Sequence, residues 1–217
     1  MSESSSPKKW RRRAEARPAE IVQAAYQVFS EKGFAAARLD DIAARAGVSK
    51  GTLYLYFDSK DALFKAVIRE GVVPAIEAGE ALLGDDASDP ALLLRQILAG
   101  WWERVGSTEL GGIPKLMLSE ARNFPDVANY YDEVVIQRGR ALIRGVVCRG
   151  IERGAFRPVD VETIDTVLIA PLLHLALWRH SFASCCGRDI DVDRYLKAHI
   201  DLVLNGLRAV PASGETR

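Results

Sequence analysis

The side chains best suited to chemistry lie in one short stretch of the 217-residue chain, Ser49-Lys50-Gly51-Thr52-Leu53-Tyr54-Leu55-Tyr56, with Lys60 just beyond it. An ammonium, hydroxyls and phenols at this spacing can donate to phosphate oxygens and meet base edges, but they do not pair a nucleophile with a base. The rest of the sequence adds little that could catalyse a reaction. It has no Gly-rich phosphate loop, no HExxH pair and no GxSxG elbow, and His174, His180 and His199 lack an evident nucleophile or acid partner. Cys148, Cys185 and Cys186 show no metal-ligand spacing, so neither a zinc site nor a disulfide framework is indicated. The expectation is a non-enzyme without a cofactor. A helical enzyme and a helical adaptor that binds no DNA are the alternatives.

To present that stretch, the chain must build helices around it. Apolar residues recur at three and four rather than at two, which indicates an all-α fold without strands. The first helix is expected from about Pro18 to Lys32, with Ile21, Ala25, Val28 and Phe29 on one face and Gly33 as its stop. Leu39 to Ala46 forms a second helix, Gly47-Val48 a tight turn, and Ser49 stands at the N-cap of a third that reaches about Phe57. Ile42, Ala43, Ala46, Val48, Leu53 and Phe57 have the types and spacing to lock this pair against Val28 and Phe29. Lys50, Gly51, Thr52, Tyr54, Leu55 and Tyr56 then remain for the outer face. A helix-turn-helix of this form lays its second helix in a major groove, although short helix pairs with a Gly turn also occur in helical proteins of other kinds.

The wording of residues 33 to 64, GFAAARLDDIAARAGVSKGTLYLYFDSKDALF, resembles the DNA-binding module of the TetR family of bacterial regulators. Gly33-Phe34, Ile42-Ala43, Ala46-Gly47-Val48-Ser49, Gly51-Thr52-Leu53-Tyr54, Tyr56-Phe57 and Lys60 stand in the family's places. Further on, LMLSEARNFPDVANYYDEVV and APLLHLALWRHSF are similar to the effector domain of the family's AefR-like branch. The resemblance implies a homodimeric repressor on a near-palindromic double-stranded operator, released by a small-molecule effector. It implies DNA contacts from Arg38, Ser49, Lys50, Gly51, Thr52, Tyr54, Leu55, Tyr56 and Lys60, with Lys60 in the place of the family's phosphate-binding lysine. This chain departs from the family before the second helix, where Ala37 and Arg38 replace the usual hydroxyl residue. Arg38 can still reach a phosphate, and capping then falls to Asp40 or to water.

Charge and punctuation organise the remainder. Lys+Arg and Asp+Glu are both 29, so the whole-chain balance favours no polyanionic partner. Residues 1–17, by contrast, carry six Lys and Arg against two Glu, and are expected as a flexible basic arm that either lies in a minor groove or stays solvated. A DNA-binding domain over 18–77 follows, then a helical ligand-binding and dimerisation domain over 78–210 and a tail over 211–217, with about nine helices in all. Pro74 should end or kink the fourth helix, Asp89-Pro90 should open a later one, and Pro125 a long one ending near Gly154. The last two helices, about Asp160 to Ser184 and Asp191 to Arg208, are apolar beyond what one chain can cover, and the resemblance implies that they pair in a twofold dimer. Trp101, Trp102, Met117, Phe124, Tyr131, His174 and Trp178 are the candidates for a pocket that takes a small apolar or aromatic effector, with ordinary core packing as the alternative. No stretch of about 18 apolar residues is expected to span a membrane, and the cytoplasm is the expected compartment.

Overall fold

A computed structural model describes residues 7–85, 88–186 and 190–209, with the side chains of 7–16, 184 and 186 left aside. Helix α1 (Pro7–Ala36) starts well before Pro18, which it carries inside. Residues 7–17, expected as part of a flexible arm, are therefore helical, in line with the strong helix preference of Lys, Arg, Ala and Glu. Gly33 breaks the helical path at φ 75°, a backbone setting that costs glycine nothing and other residues about 1 kcal/mol or more.

Two compact units follow from the chain's contacts. The first takes the chain up to Glu70 together with Leu116–Tyr131; the second takes Gly71–Lys115 and the chain from Asp132 onward. The sequence places the divide at 77 and gives no sign that a later segment returns to the first unit. What returns is the end of α7 (Gly112–Glu120) and all of α8 (Pro125–Tyr131). Phe124 explains why. Its ring lies 4.6 Å from Phe34, edge to face, and Phe34 in turn packs against Phe29 and Phe64 at 5.3 and 5.1 Å. These aromatic contacts join α1, α4 (Lys60–Gly71) and the returning segment into one core with Ile21, Ile42, Leu53, Leu63 and Ile68, all fully buried.

The second unit holds α5 (Val73–Leu83), α6 (Pro90–Trp101), α9 (Arg138–Glu152), α10 (Val161–Arg179), α11 (Ala183–Cys186) and α12 (Val192–Leu207). Pro74 sits in the first turn of α5, where its missing N–H is harmless, so it starts a helix where the sequence expected it to end one. Asp89 caps α6 by accepting from Ala91 and Leu92, as the Asp-Pro signal indicates. A π-helical turn, Trp102–Gly106, extends α6, and a second, Asp132–Gln137, joins α8 to α9. Counting α8, that turn and α9 as the one long helix expected after Pro125, the described residues contain nine helices of seven residues or more. They hold no strand, only an isolated antiparallel bridge between Phe156 and Arg208.

Leu93, Leu94, Leu98, Val146, Val147, Leu168, Leu172 and Leu207 form the core of this unit. Around it, arginines of α9 fasten the neighbouring helices. Arg138 grips Glu80 of α5 with two bonds of 3.0 and 2.7 Å, and Arg149 donates to the carbonyls of Leu83 and Asp85 at the end of α5. Asp165 of α10 is fully buried and accepts from Arg140 at 2.7 Å, Arg144 at 2.9 Å and the Thr166 N–H at 2.6 Å. Burial opposes its ionisation, but the bonds from Arg140 and Thr166 outweigh that and hold the carboxyl below the usual aspartate range.

Helix α10 is long and apolar enough to cross a membrane by length and composition, against the expectation that no stretch would be. Here it is a core helix on one side: Leu168, Leu172, Leu175 and Ala176 face inward with Asp165. Pro171 lies inside it, in a stretch that α12 contacts. Tyr195 donates to the Pro171 carbonyl at 3.0 Å, and His199 Nε2 stands 3.0 Å from the carbonyl of Leu168. Burial pushes the His199 pKa down, favouring the neutral ring there.

Candidate DNA interface

The helix-turn-helix is α2 (Leu39–Arg45), the turn at Gly47 and α3 (Lys50–Tyr54). Gly47 takes φ 66°, which lets the chain reverse between the helices. Ser49 caps α3 as expected: its hydroxyl accepts from Thr52 N–H at 3.1 Å and lies 2.8 Å from the Thr52 hydroxyl. The helix is shorter than expected and closes at Tyr54, with Leu55 as its C-cap. Arg38 occupies the N-cap position of α2 in an extended conformation and makes no capping bond. Asp40 does not cap either; it is drawn to Lys50.

The inward side is as the spacing indicates. Val28, Phe29, Ile42, Ala43, Leu53 and Phe57 are buried, while Ala46 and Val48 are half-buried. Two ion pairs pin α2 to α1: Arg45 grips Glu31 with both nitrogens, and Lys32 meets Asp41 at 2.8 Å. The hydrogen bond from Arg45 holds the Glu31 carboxyl below its ordinary range, and that from Lys32 does the same for Asp41.

The outward side presents Lys50, Gly51, Tyr54, Leu55 and Tyr56, with Thr52 half-exposed. Lys50 Nζ sits 2.8 Å from Asp40 Oδ1 and 3.2 Å from Oδ2, and the pair pushes the lysine pKa up. Lys60, expected as a phosphate ligand, is engaged within the chain. Its ammonium donates to the carbonyls of Phe34, Ala35 and Ala37 at 2.7, 3.1 and 3.2 Å, and stands 4.7 Å from the Phe34 ring centroid and 5.8 Å from that of Phe124. All three of its donors are thus engaged at the end of α1, where carbonyls lack helical partners. From sequence this role was invisible, because it depends on the Gly33 break turning those carbonyls toward α4.

The seven effector candidates divide between the two units. Met117, Phe124 and Tyr131 belong to the first unit; Met117 and Tyr131 are buried, and burial pushes the Tyr131 phenol up. Trp101, Trp102, His174 and Trp178 belong to the second. Trp102 is buried with Leu175 and Ala176, and Trp101 packs on that cluster. His174 is exposed, 6.4 Å from Trp178, which stacks on Phe182 at 5.1 Å. Among the described residues no group of three or more His, Cys, Asp or Glu is placed to hold a metal ion.

Comparison with known proteins meets this geometry at both ends of the chain. Residues 21–67 match the family model described as bacterial regulatory proteins, tetR family, and residues 86–184 match a tetracyclin repressor-like C-terminal domain. The HTH-type transcriptional repressor NicS of Pseudomonas putida is 30% identical over 197 residues, 87% of this chain and 91% of that protein. The chain belongs to the TetR family. As such it is a DNA-binding transcriptional regulator and not an enzyme. Among solved TetR-family folds, PfmR of Thermus thermophilus is 26% identical, with a TM-score of 0.70 over 87% of this chain and 98% of its own. FadR of Bacillus subtilis, solved in complex with stearoyl-CoA, shares the fold at 20% identity, with a TM-score of 0.72 over 88% of this chain and 99% of its own.

Proposed function

We propose that this TetR-family regulator is a homodimeric repressor that binds a near-palindromic operator through α2 and α3 and leaves it when a small apolar or aromatic effector binds the second unit. The observation that carries the reading is the division of labour in the α2–α3 pair. Its apolar residues are buried on α1, while Lys50, Tyr54, Leu55 and Tyr56 face solvent from a helix whose cap and turn are fixed. Arg38 and the phenols supply phosphate contacts, and Lys60 contributes by fixing the end of α1. Pairing through α10 and α12 is supported by the apolar side chains they leave outside, Val167 at 60% and Leu202 at 72% exposure. A twofold dimer places two α3 helices about 34 Å apart, one turn of B-DNA. Release requires that the effector prefer the arrangement in which the heads do not fit the operator. The aromatic cluster around Trp101 and Trp102 is the place for an apolar effector, and Gly71–Pro74, at the edge of the second unit, is the place for flexing. The acyl tail of the stearoyl-CoA on FadR is apolar, which supports an apolar part in such an effector.

Selection from a random duplex library at fixed salt tests this. Recovery of one near-palindrome, with binding lost in Tyr54→Ala, is the expected result. Enrichment of no sequence across a range of salt would overturn the proposal.

A further inference from the structure

The recognition segment 49–57, SKGTLYLYF, contains no Arg, Asn or Gln. Those are the side chains that grip a purine edge in the major groove with two parallel hydrogen bonds. Its single cation, Lys50, is held by both carboxylate oxygens of Asp40. The Thr52 hydroxyl is bonded to that of Ser49. What stands outward is therefore phenolic or apolar, and the apolar member is extreme. Leu55 is 82% exposed, against 0% for Leu53 and 8% for Phe57 on either side of it. The turn that ends α3 sends 53 and 57 into the core and 55 out of it.

An exposed leucine is informative when it is continuous with an interaction surface, and this one adjoins Tyr54 and Tyr56 on the DNA-binding face of the family's helix-turn-helix. The apolar group that a B-form major groove offers is the thymine 5-methyl. We infer that this regulator selects its operator through thymine 5-methyl groups, and that Leu55 is the specificity-determining residue that meets one of them in each half-site. The inference rests on the operator-binding proposal and adds the base chemistry to it. It also accounts for an α3 so poor in bidentate donors: discrimination comes from methyl burial, with the phenols and Arg38 holding the register on phosphates.

The test changes one methyl group at a time. In the selected operator each thymidine is replaced by deoxyuridine, and the duplexes are titrated with the unmodified protein, Leu55→Ala and Leu55→Met at one salt concentration. The expected result is one symmetric position at which deoxyuridine weakens the unmodified protein about fourfold per methyl. At that position Leu55→Ala binds both duplexes alike and Leu55→Met recovers the discrimination, with melting unchanged because the side chain lies outside the core. A defined operator that is blind to deoxyuridine, or discrimination that survives in Leu55→Ala, overturns this inference and leaves operator binding standing. A library that yields no operator overturns the operator proposal itself and this inference with it.

Discussion

Replacing Lys60 with methionine isolates what its ammonium does, because the side chain keeps its length and most of its apolar stem. Lost together are the donor contacts to Phe34, Ala35 and Ala37 and the position over the Phe34 ring. A buried hydrogen bond to a charged group contributes about 1.5–3 kcal/mol, and a cation over an aromatic face about 0.5–1 kcal/mol at exposed sites. These do not add, since Lys60 is half-buried and water can replace it at the more exposed Ala35 carbonyl. A net loss of about 2 kcal/mol is expected, which for a chain of this size lowers the melting temperature by roughly 4–8 °C. Circular dichroism melting reads that change, and operator titration below the transition, at several salt concentrations, reads the alternative role as a phosphate ligand. If the ammonium is spent on carbonyls, the slope of log affinity against log salt stays within about half a unit of the unmodified protein's. The reasoning is refuted by the opposite pattern: melting within about 1 °C of the unmodified chain and a slope reduced by about two, one for each subunit of the dimer.

Two further expectations concern carboxylates. Asp165→Ala removes the acceptor shared by Arg140 and Arg144 and should cost about 2–4 kcal/mol, discounted because both guanidiniums reach solvent, as read from the urea midpoint. Because the folded carboxyl titrates below its ordinary range, the stability it supplies is present above about pH 4 and is lost as pH falls through the lower folded value. The unmodified protein should lose more stability there than Asp165→Ala does. Asp40→Asn should release Lys50 to the phosphates, raising affinity for random duplex and steepening the salt slope by about 1.8, 0.9 for each subunit of the dimer; an unchanged slope would show that the lysine is not available to DNA.

Most of the local structure was legible in the sequence because it rests on local rules. Ser49 as a cap, Gly47 as a turn, Asp89 ahead of Pro90 and the buried set from Val28 to Phe57 all follow from spacing and residue type. Beyond that reach lay features decided by contacts distant in sequence. Phe124 reads as a pocket aromatic because it lies far from Phe34 in the chain, and only the fold brings the two rings together. Lys60 matches a family position, yet its partners are backbone carbonyls, which leave no trace in a side-chain pattern. The opposite failure occurs at α10, where hydropathy hides an acid: Asp165 interrupts an apolar run, but two arginines neutralise it inside the unit. Asp40 is similar in kind, since a carboxylate in the first turn of α2 reads as a dipole partner until Lys50 is seen beside it.

The return of Leu116–Tyr131 to the first unit bears on how such regulators can be recombined. A graft of a reading head onto a foreign sensor, cut once near residue 70, would leave Phe34 without Phe124 and the Ala35 N–H without the Glu120 carboxylate that accepts from it at 3.3 Å. The transplantable module is discontinuous: a working chimera needs two cuts more, so that the sensor carries the donor's own α7–α8 insert along with its helix-turn-helix.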